Sequence, residues 1–263
     1  MNVILFQTAI VWEQAESNFE LIEKRLDELK PEANSLLVMP EMFSTGFSFE
    51  LETVGEDTNG ASAEFLKRMA QKFSICTVAS FPHQPKDGGK GLNRLLAYFP
   101  DGSPAVSYDK IHPFSYGKEA DHYCGGKRLP LFEFQGWTIC PTICYDLRFP
   151  ELYRRATLQG GAQMFLCIAN WPTPRREHWN TLLRARAIEN QAVMVAVNRV
   201  GKDPLNSYSG DSAIIDARGR DILNMGDRDS AEAGNVDLDD LLSWRKKFPA
   251  LADATEDFEI LKP

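Results

Sequence analysis

The sequence predicts an α/β fold in which two sheets pack face to face with helices on their outer surfaces. Three observations point there. Short apolar runs alternate with amphipathic segments, the order strand-helix-strand-helix-strand-hairpin occurs twice, and no Gly/Ser-rich linker separates the two occurrences. The repetition is architectural, without a residue-level repeat. Of 263 residues, 43% are hydrophobic and 25% charged, which suits a folded chain with a sizeable core rather than a disordered one.

The elements follow in order. Val3 to Ala9 is a short apolar strand, and Ser17 with Glu20 three residues on reads as a capping box opening a helix. Phe19, Ile22, Leu26 and Leu29 give that helix one apolar face. Ser35 to Met39 is a second strand, ending at Pro40; Phe65, Leu66, Met69 and Phe73 mark a second helix; Ile75 to Phe81 is a third strand. Leu92 to Phe99 and Ala105 to Tyr108 flank Pro100-Asp101-Gly102, a hairpin signal. The order then returns with Trp137 to Ile143 as strand, Pro150 to Leu158 as helix and Gln163 to Ala169 as strand. Glu177 to Gln191 follows as a helix with Trp179, Leu182, Leu183 and Ile188 as core contacts, then Val193 to Asn198 as strand. Ser212 to Asp216 pairs with Asp221 to Met225 across Ala217-Arg218-Gly219. Two separate domains are an alternative to one, but the connection from Asp109 to Arg128 carries aromatics and Lys110-Ile111-His112-Pro113-Phe114, which reads as an ordered loop. A single domain over residues 1–263 is expected.

Bulk properties bound the function. A formal charge of −8 and a pI near 5.1 argue against a nucleic-acid or anionic-membrane partner. Arg175-Arg176 and Lys246-Lys247 are isolated basic pairs. The first residues lack the positive region of a signal peptide, and no apolar run is long enough to cross a bilayer. Five scattered cysteines do not suggest a disulfide scaffold, so a reducing, cytoplasmic location is expected. The histidines, His83, His112, His122 and His178, are dispersed, and Cys140 and Cys144 lack two further ligands, so neither metal nor cofactor is expected.

Chemistry-bearing residues concentrate at three loops. Glu41 follows a strand between Met39, Pro40, Met42 and Phe43, apolar neighbours that would desolvate its carboxylate toward the range of a general base; alone, such a Glu is more often solvated or ion-paired. Lys110, alone, would read as a surface charge. Cys144 ends a strand, and Pro150 suits the first turn of the helix that follows. A strand-to-helix turn of this kind exposes a nucleophile and turns a free backbone N–H toward its substrate. Cys76, Cys140 and Cys167 lie inside apolar strands and read as small buried hydrophobes; Cys144 differs because Tyr145-Asp146-Leu147-Arg148 brings polar groups to its turn.

The ordered set Pro40-Glu41-Met42-Phe43, Asp109-Lys110-Ile111-His112 and Cys144-Tyr145-Asp146-Leu147-Arg148-Phe149-Pro150-Glu151 resembles the nitrilase superfamily of carbon–nitrogen hydrolases. Further stretches resemble its bacterial-type ω-amidase branch: Ala169-Asn170-Trp171-Pro172, Arg184 to Gln191, Asn198-Arg199-Val200-Gly201, Gly210-Asp211-Ser212 and Lys247-Phe248-Pro249-Ala250. The resemblance covers the chain from its first strand to about Phe258. It implies an α-β-β-α four-layer sandwich of two mixed sheets, and a homodimer with the tail at about 248–263 at the interface.

It also implies roles. Glu41 would be base and then acid, Cys144 the nucleophile that forms a thioester, and Lys110 with the backbone N–H of Tyr145 the oxyanion donors. A second Glu after the lysine would hold it; Glu119 matches that position, with Asp121 close by in sequence. The implied substrate is a small amide with a carboxylate at its far end, such as 2-oxoglutaramate or 2-oxosuccinamate. Arg148 reads as its carboxylate clamp or equally as an ion-pair partner of Glu151 that braces the loop. Trp171 reads as a pocket wall or a core residue. Another amidase, a carbamoylase or a nitrilase would share the fold, and a non-catalytic binding protein is the reading from a different class.

Overall fold

Strands buried on both faces must be covered twice, and this requirement dictates the layering. A computed structural model describes residues 1–255 and Glu259. Part of the tail expected at an oligomer interface, residues 256–258 and 260–263, lies outside the described residues. The first part of the chain runs β1 (Asn2–Gln7), α1 (Ala15–Leu29), β2 (Leu36–Val38), α2 (Leu51–Val54), α3 (Ala61–Phe73), β3 (Cys76–His83), β4 (Leu92–Tyr98), β5 (Pro104–Asp109) and the single turn α4 (Glu119–His122). The second runs β6 (Phe132–Phe134), β7 (Trp137–Ile143), α5 (Pro150–Gly160), β8 (Met164–Ala169), α6 (Arg176–Glu189), β9 (Val193–Asn198), β10 (Val200–Lys202), β11 (Ser207–Ser209), β12 (Ala213–Ile215), β13 (Asp221–Asn224), β14 (Ser230–Asn235) and α7 (Leu238–Lys247).

The two sheets have the orders β14-β1-β2-β3-β4-β5 and β13-β12-β9-β8-β7-β6, with β10 and β11 as a separate ribbon. In each sheet three parallel strands continue into an antiparallel hairpin, so both are mixed and the repeated order read from the sequence is present. Alternate side chains then sort into layers. Val3, Leu5, Val38 and Val78 of the first sheet meet Ile143, Leu166, Ile168 and Val195 of the second in one inter-sheet core. On the outer face of the first sheet, Ile4, Phe6 and Leu37 pack on Phe19 and Ile22 of α1 and Phe65 and Met69 of α3. On the outer face of the second, Phe165, Cys167 and Met194 pack on Tyr153 of α5 and Trp179 and Leu183 of α6. The layers are therefore helix, sheet, sheet, helix, as expected.

Two local expectations fail. Helix α1 begins at Ala15, not after Ser17, and Ser17 lies inside it with its hydroxyl donating to Gln14 Oε1 at 3.3 Å. The entry is fixed instead by buried Asn18, whose Oδ1 accepts from the Val11 N–H and whose Nδ2 donates to the carbonyls of Val11 and Ser44. A side chain inside the first turn thus ties the incoming chain and a neighbouring loop to the helix start, without serving as a cap. Ile188 is not a core contact: it is 52% exposed, because α6 faces its sheet through Trp179, Leu183 and Ala187, and Ile188 falls one position off that stripe. Leu182 packs at the edge of the core.

Because Leu166 sits at the centre of the inter-sheet core with no exposed surface, Leu166→Ala should lose about 2–5 kcal/mol in guanidinium denaturation. A loss below about 1 kcal/mol would mean that the two sheets do not share one close-packed interior.

Candidate active site

The carboxyl ends of β2, β5, β7 and β8 meet at one edge of the sandwich, the place where open α/β sheets gather functional side chains. Glu41 follows β2, Lys110 follows β5, Cys144 follows β7 and Asn170 follows β8. Glu41, Lys110 and Glu119 are all buried. The Lys110 ammonium donates to Glu41 Oε1 at 2.9 Å and to Glu119 Oε2 and Oε1 at 2.8 and 3.1 Å. Asn93 Nδ2 donates to Glu41 Oε1 at 2.7 Å and to Glu119 Oε1 at 3.3 Å. The second oxygen of Glu41 accepts from the Asn170 backbone N–H at 2.7 Å, and that of Glu119 from the Phe114 N–H. Asp121 is exposed and pairs with nothing in this cluster, so the structure brings Glu119 rather than Asp121 to the lysine.

Burial alone would push the Lys110 ammonium down, but the attractions of Glu119 and Glu41 outweigh it and hold the group charged well above its ordinary range. Burial raises Glu119, with Lys110 opposing.

Cys144 has φ +47, the left-handed region that costs a non-glycine residue on the order of 1–3 kcal/mol. This is the strained strand-to-turn geometry of an exposed nucleophile. Its thiol points to the Asn170 carbonyl, with sulfur and oxygen 4.0 Å apart. Asn170 therefore touches both the thiol and Glu41. Burial, and then the charge of Glu41, push the thiol well above its ordinary value, with Lys110 opposing. The other strand cysteines are buried, and burial pushes Cys76 and Cys167 up to about 12.

Buried Asp146 holds the turn. Its Oδ2 accepts from the Ile143 N–H at 3.0 Å and the Tyr108 hydroxyl at 2.6 Å, and its Oδ1 from the His112 N–H at 3.1 Å. His112 Nδ1 lies 2.9 Å from the same oxygen, and its ring stacks on Phe149. One carboxylate thus ties the Cys144 turn to the loop that carries Lys110. From the other side Arg186, a buried guanidinium on α6, donates twice to the Leu147 carbonyl. The sequence reading missed Asn93, Asn170 and Arg186 as site residues and took Asp146 only as a polar group at the turn. The visible signals were a lone Asn in the apolar run of β4 and an Asn at a strand end.

Above the cluster opens a cavity of about 260 Å³ whose lining includes Cys144, Tyr145, Arg148, Trp171 and Phe114. Arg148 faces this cavity and does not pair with Glu151 or with any other carboxylate among the described residues; its Nη2 donates to His178 Nδ1 at 3.3 Å. Trp171 satisfies both of its readings: it is 3% exposed, its ring packs on Trp179, and it still forms part of the cavity wall. Its indole N–H donates to the Arg175 carbonyl at 2.8 Å. No group of acidic, cysteine or histidine side chains able to hold a metal ion occurs among the described residues, and no helix among them is long and apolar enough to cross a membrane.

A strained cysteine above a buried lysine between two glutamates matches what the whole chain resembles. The family model for carbon-nitrogen hydrolases matches residues 3–246, and the chain belongs to that family. It is 35% identical over 264 residues to the omega-amidase YafV of Yersinia enterocolitica, covering 99% of each chain. It is 32% identical over 223 residues to a 2-oxoglutaramate amidase of Bacillus subtilis (strain 168), covering 84% of this chain and 85% of that one. Its fold is similar to that of XC1258 from Xanthomonas campestris, a CN-hydrolase superfamily protein with an arsenic adduct in its active site. The TM-score is 0.91 at 33% identity, covering 100% of this chain and 99% of that one.

The raised Cys144 thiol should remain protonated in the resting protein. The difference in ultraviolet thiolate absorbance between the unmodified chain and Cys144→Ala should stay near zero from about pH 6 to about pH 9. A constant thiolate signal across that window, or a step centred below about pH 7, would mean a resting thiolate and would remove the need for a base.

Proposed function

We propose that the chain hydrolyses the terminal amide of small ω-amido carboxylates, of which 2-oxoglutaramate and 2-oxosuccinamate are examples, to the dicarboxylate and ammonia. The observation that carries this reading is the buried Glu41–Lys110–Glu119 cluster beneath Cys144 in its left-handed turn. The near-full-length similarity to proteins named omega-amidase and 2-oxoglutaramate amidase supports the substrate class.

In the proposed sequence Glu41 takes the thiol proton as Cys144 Sγ attacks the amide carbonyl carbon. Lys110 and the Tyr145 backbone N–H stabilise the oxyanion that forms. Glu41 returns the proton to nitrogen, the C–N bond breaks, and ammonia leaves a thioester on Cys144. Glu41 then takes a proton from water as it attacks the thioester; the C–S bond breaks and Cys144 regains its proton. Glu119 holds Lys110 in place, Arg148 meets the substrate carboxylate, and Trp171 walls the pocket. No step calls for a metal or cofactor. We place the enzyme in the cytoplasm as a single-domain homodimer whose tail from about residue 248 onward lies at the interface. Half-exposed Ile188 and Phe248, which line a surface hollow with Trp244, support that last assignment.

The test is ammonia release across a panel of amides, nitriles and N-carbamoyl compounds. 2-Oxoglutaramate should be the better substrate, and Cys144→Ser should lose nearly all turnover while keeping its fold. Retained turnover in Cys144→Ala would sink the mechanism. Lys110→Arg, which keeps the charge but changes reach, should fall on the order of 10²–10³ in kcat, as expected for a lost oxyanion donor. Glu119→Gln should lower kcat while Asp121→Asn does little; the reverse would move the supporting role to Asp121.

A further inference from the structure

Two guanidinium groups face the cavity with no acid to meet them. Arg148 ends the turn that begins at Cys144, and Arg175 ends the turn Thr173–Arg175 that leads into α6; both line the cavity. The chain carries a net charge of −8, and several of its other arginines are paired. The very next residue, Arg176, holds Asp211 through two bonds of 2.6 and 2.7 Å, Arg186 reaches Glu189, and Arg94 grips Asp109. Among the described residues no carboxylate pairs with Arg148 or Arg175.

Both rest on aromatic rings of the cavity wall. The Arg148 guanidinium lies 4.7 Å from the Trp171 ring centroid, and that of Arg175 lies 5.2 Å from Phe114. A guanidinium stacked on a ring keeps its N–H donors free in its own plane, the arrangement that suits two-pronged binding of a carboxylate. The two like charges oppose each other: burial, and then the charge of Arg175, push Arg148 below its ordinary value. An anion between them removes that repulsion.

We infer that Arg175 is a second specificity-determining residue, forming with Arg148 a two-armed receptor for the terminal carboxylate of the substrate. The inference rests on the amide-hydrolysis reading above and adds an arm that it does not require. The competing role for Arg175 is to brace Phe114, and through it the loop whose Phe114 N–H holds Glu119. A brace would affect every substrate alike; a receptor arm affects those that carry the charge.

The experiment compares kcat and KM of the unmodified enzyme, Arg148→Gln, Arg175→Gln and Arg175→Lys on 2-oxoglutaramate and on butyramide, a neutral amide. The readout is the ratio of the two kcat/KM values. Arg175→Gln should lower that ratio about tenfold or more, chiefly through KM for the charged substrate, as expected for loss of one charge-assisted hydrogen bond. Arg175→Lys should recover part of it. A second readout is calorimetric titration of 2-oxoglutarate, the product, into Cys144→Ala with and without Arg175→Gln; affinity should fall by a similar factor. If both substrates fall in proportion and product affinity is unmoved, Arg175 is a brace and the inference is overturned. If Arg175→Gln does not fold, the same ratio is read from Arg175→Lys, which should lie below the unmodified enzyme. An unmodified enzyme without preference for the charged amide would overturn the underlying substrate reading instead. Preference that Arg148→Gln lowers and both Arg175 variants leave intact would overturn only the second arm.

Discussion

A single buried ammonium organises this end of the molecule. Taking Lys110 out of water costs several kcal/mol, and the cost is offset only because two carboxylates and their own donors surround it. Glu41, Asn93 and Lys110 come from the first sheet or the loops that leave it, while Asn170 comes from the second. The cluster therefore completes itself only when both sheets have packed. Removing one member would strand the others as buried, partly unpaired groups.

The strained turn depends on a second knot built in the same way. The left-handed backbone at Cys144 costs on the order of 1–3 kcal/mol, and charge-assisted bonds to Asp146 hold it there. Because Asp146 also binds Tyr108 and the His112 N–H, the position of the thiol is coupled to that of Lys110 through one carboxylate. Arg186 closes the other side of the turn at the Leu147 carbonyl. Cys144 and Lys110 are thus set relative to each other by buried side chains rather than by the loops that carry them.

Much of the layering was legible because its cause is local. Strands with both faces buried read as unbroken apolar runs, and the helices that cover them carry one stripe, so Val3, Leu166 or Phe65 announce their roles by spacing alone. The Ser17 cap was misread because the group that secures the helix entry, Asn18, acts through Val11 and Ser44, which no capping pattern encodes. Strand β14 was missed because an edge strand reading Ser-Ala-Glu-Ala-Gly-Asn buries too little to show alternation. Ile188 was assigned inward because apolarity alone does not say which side of the stripe a residue occupies. At the site the residues with reactive side chains were visible, but Asn170 acts across the sandwich, Asn93 and Arg186 act from distant positions within their own halves, and Asp146 acts from beneath the turn. Spacing along the chain carries no trace of those partners.

On the proposed reading the charge layout also orients a substrate. The floor beneath Cys144 sets two carboxylates against one ammonium, whereas Arg148 and Arg175 line the cavity with no carboxylate paired to them among the described residues. An ω-amido carboxylate entering this field would be turned so that its neutral amide meets the floor and its charged end stays with the guanidiniums; the reverse pose would bring a carboxylate against Glu41 and Glu119. On the proposed reaction the same field changes sign of effect as chemistry proceeds. Hydrolysis converts the amide into a second carboxylate next to those two glutamates, and like charges at close range in a poorly solvated site repel strongly. The product is therefore held less well than the substrate in the pose that the substrate prefers, so the arrangement that admits the amide also loosens its hold on the acid.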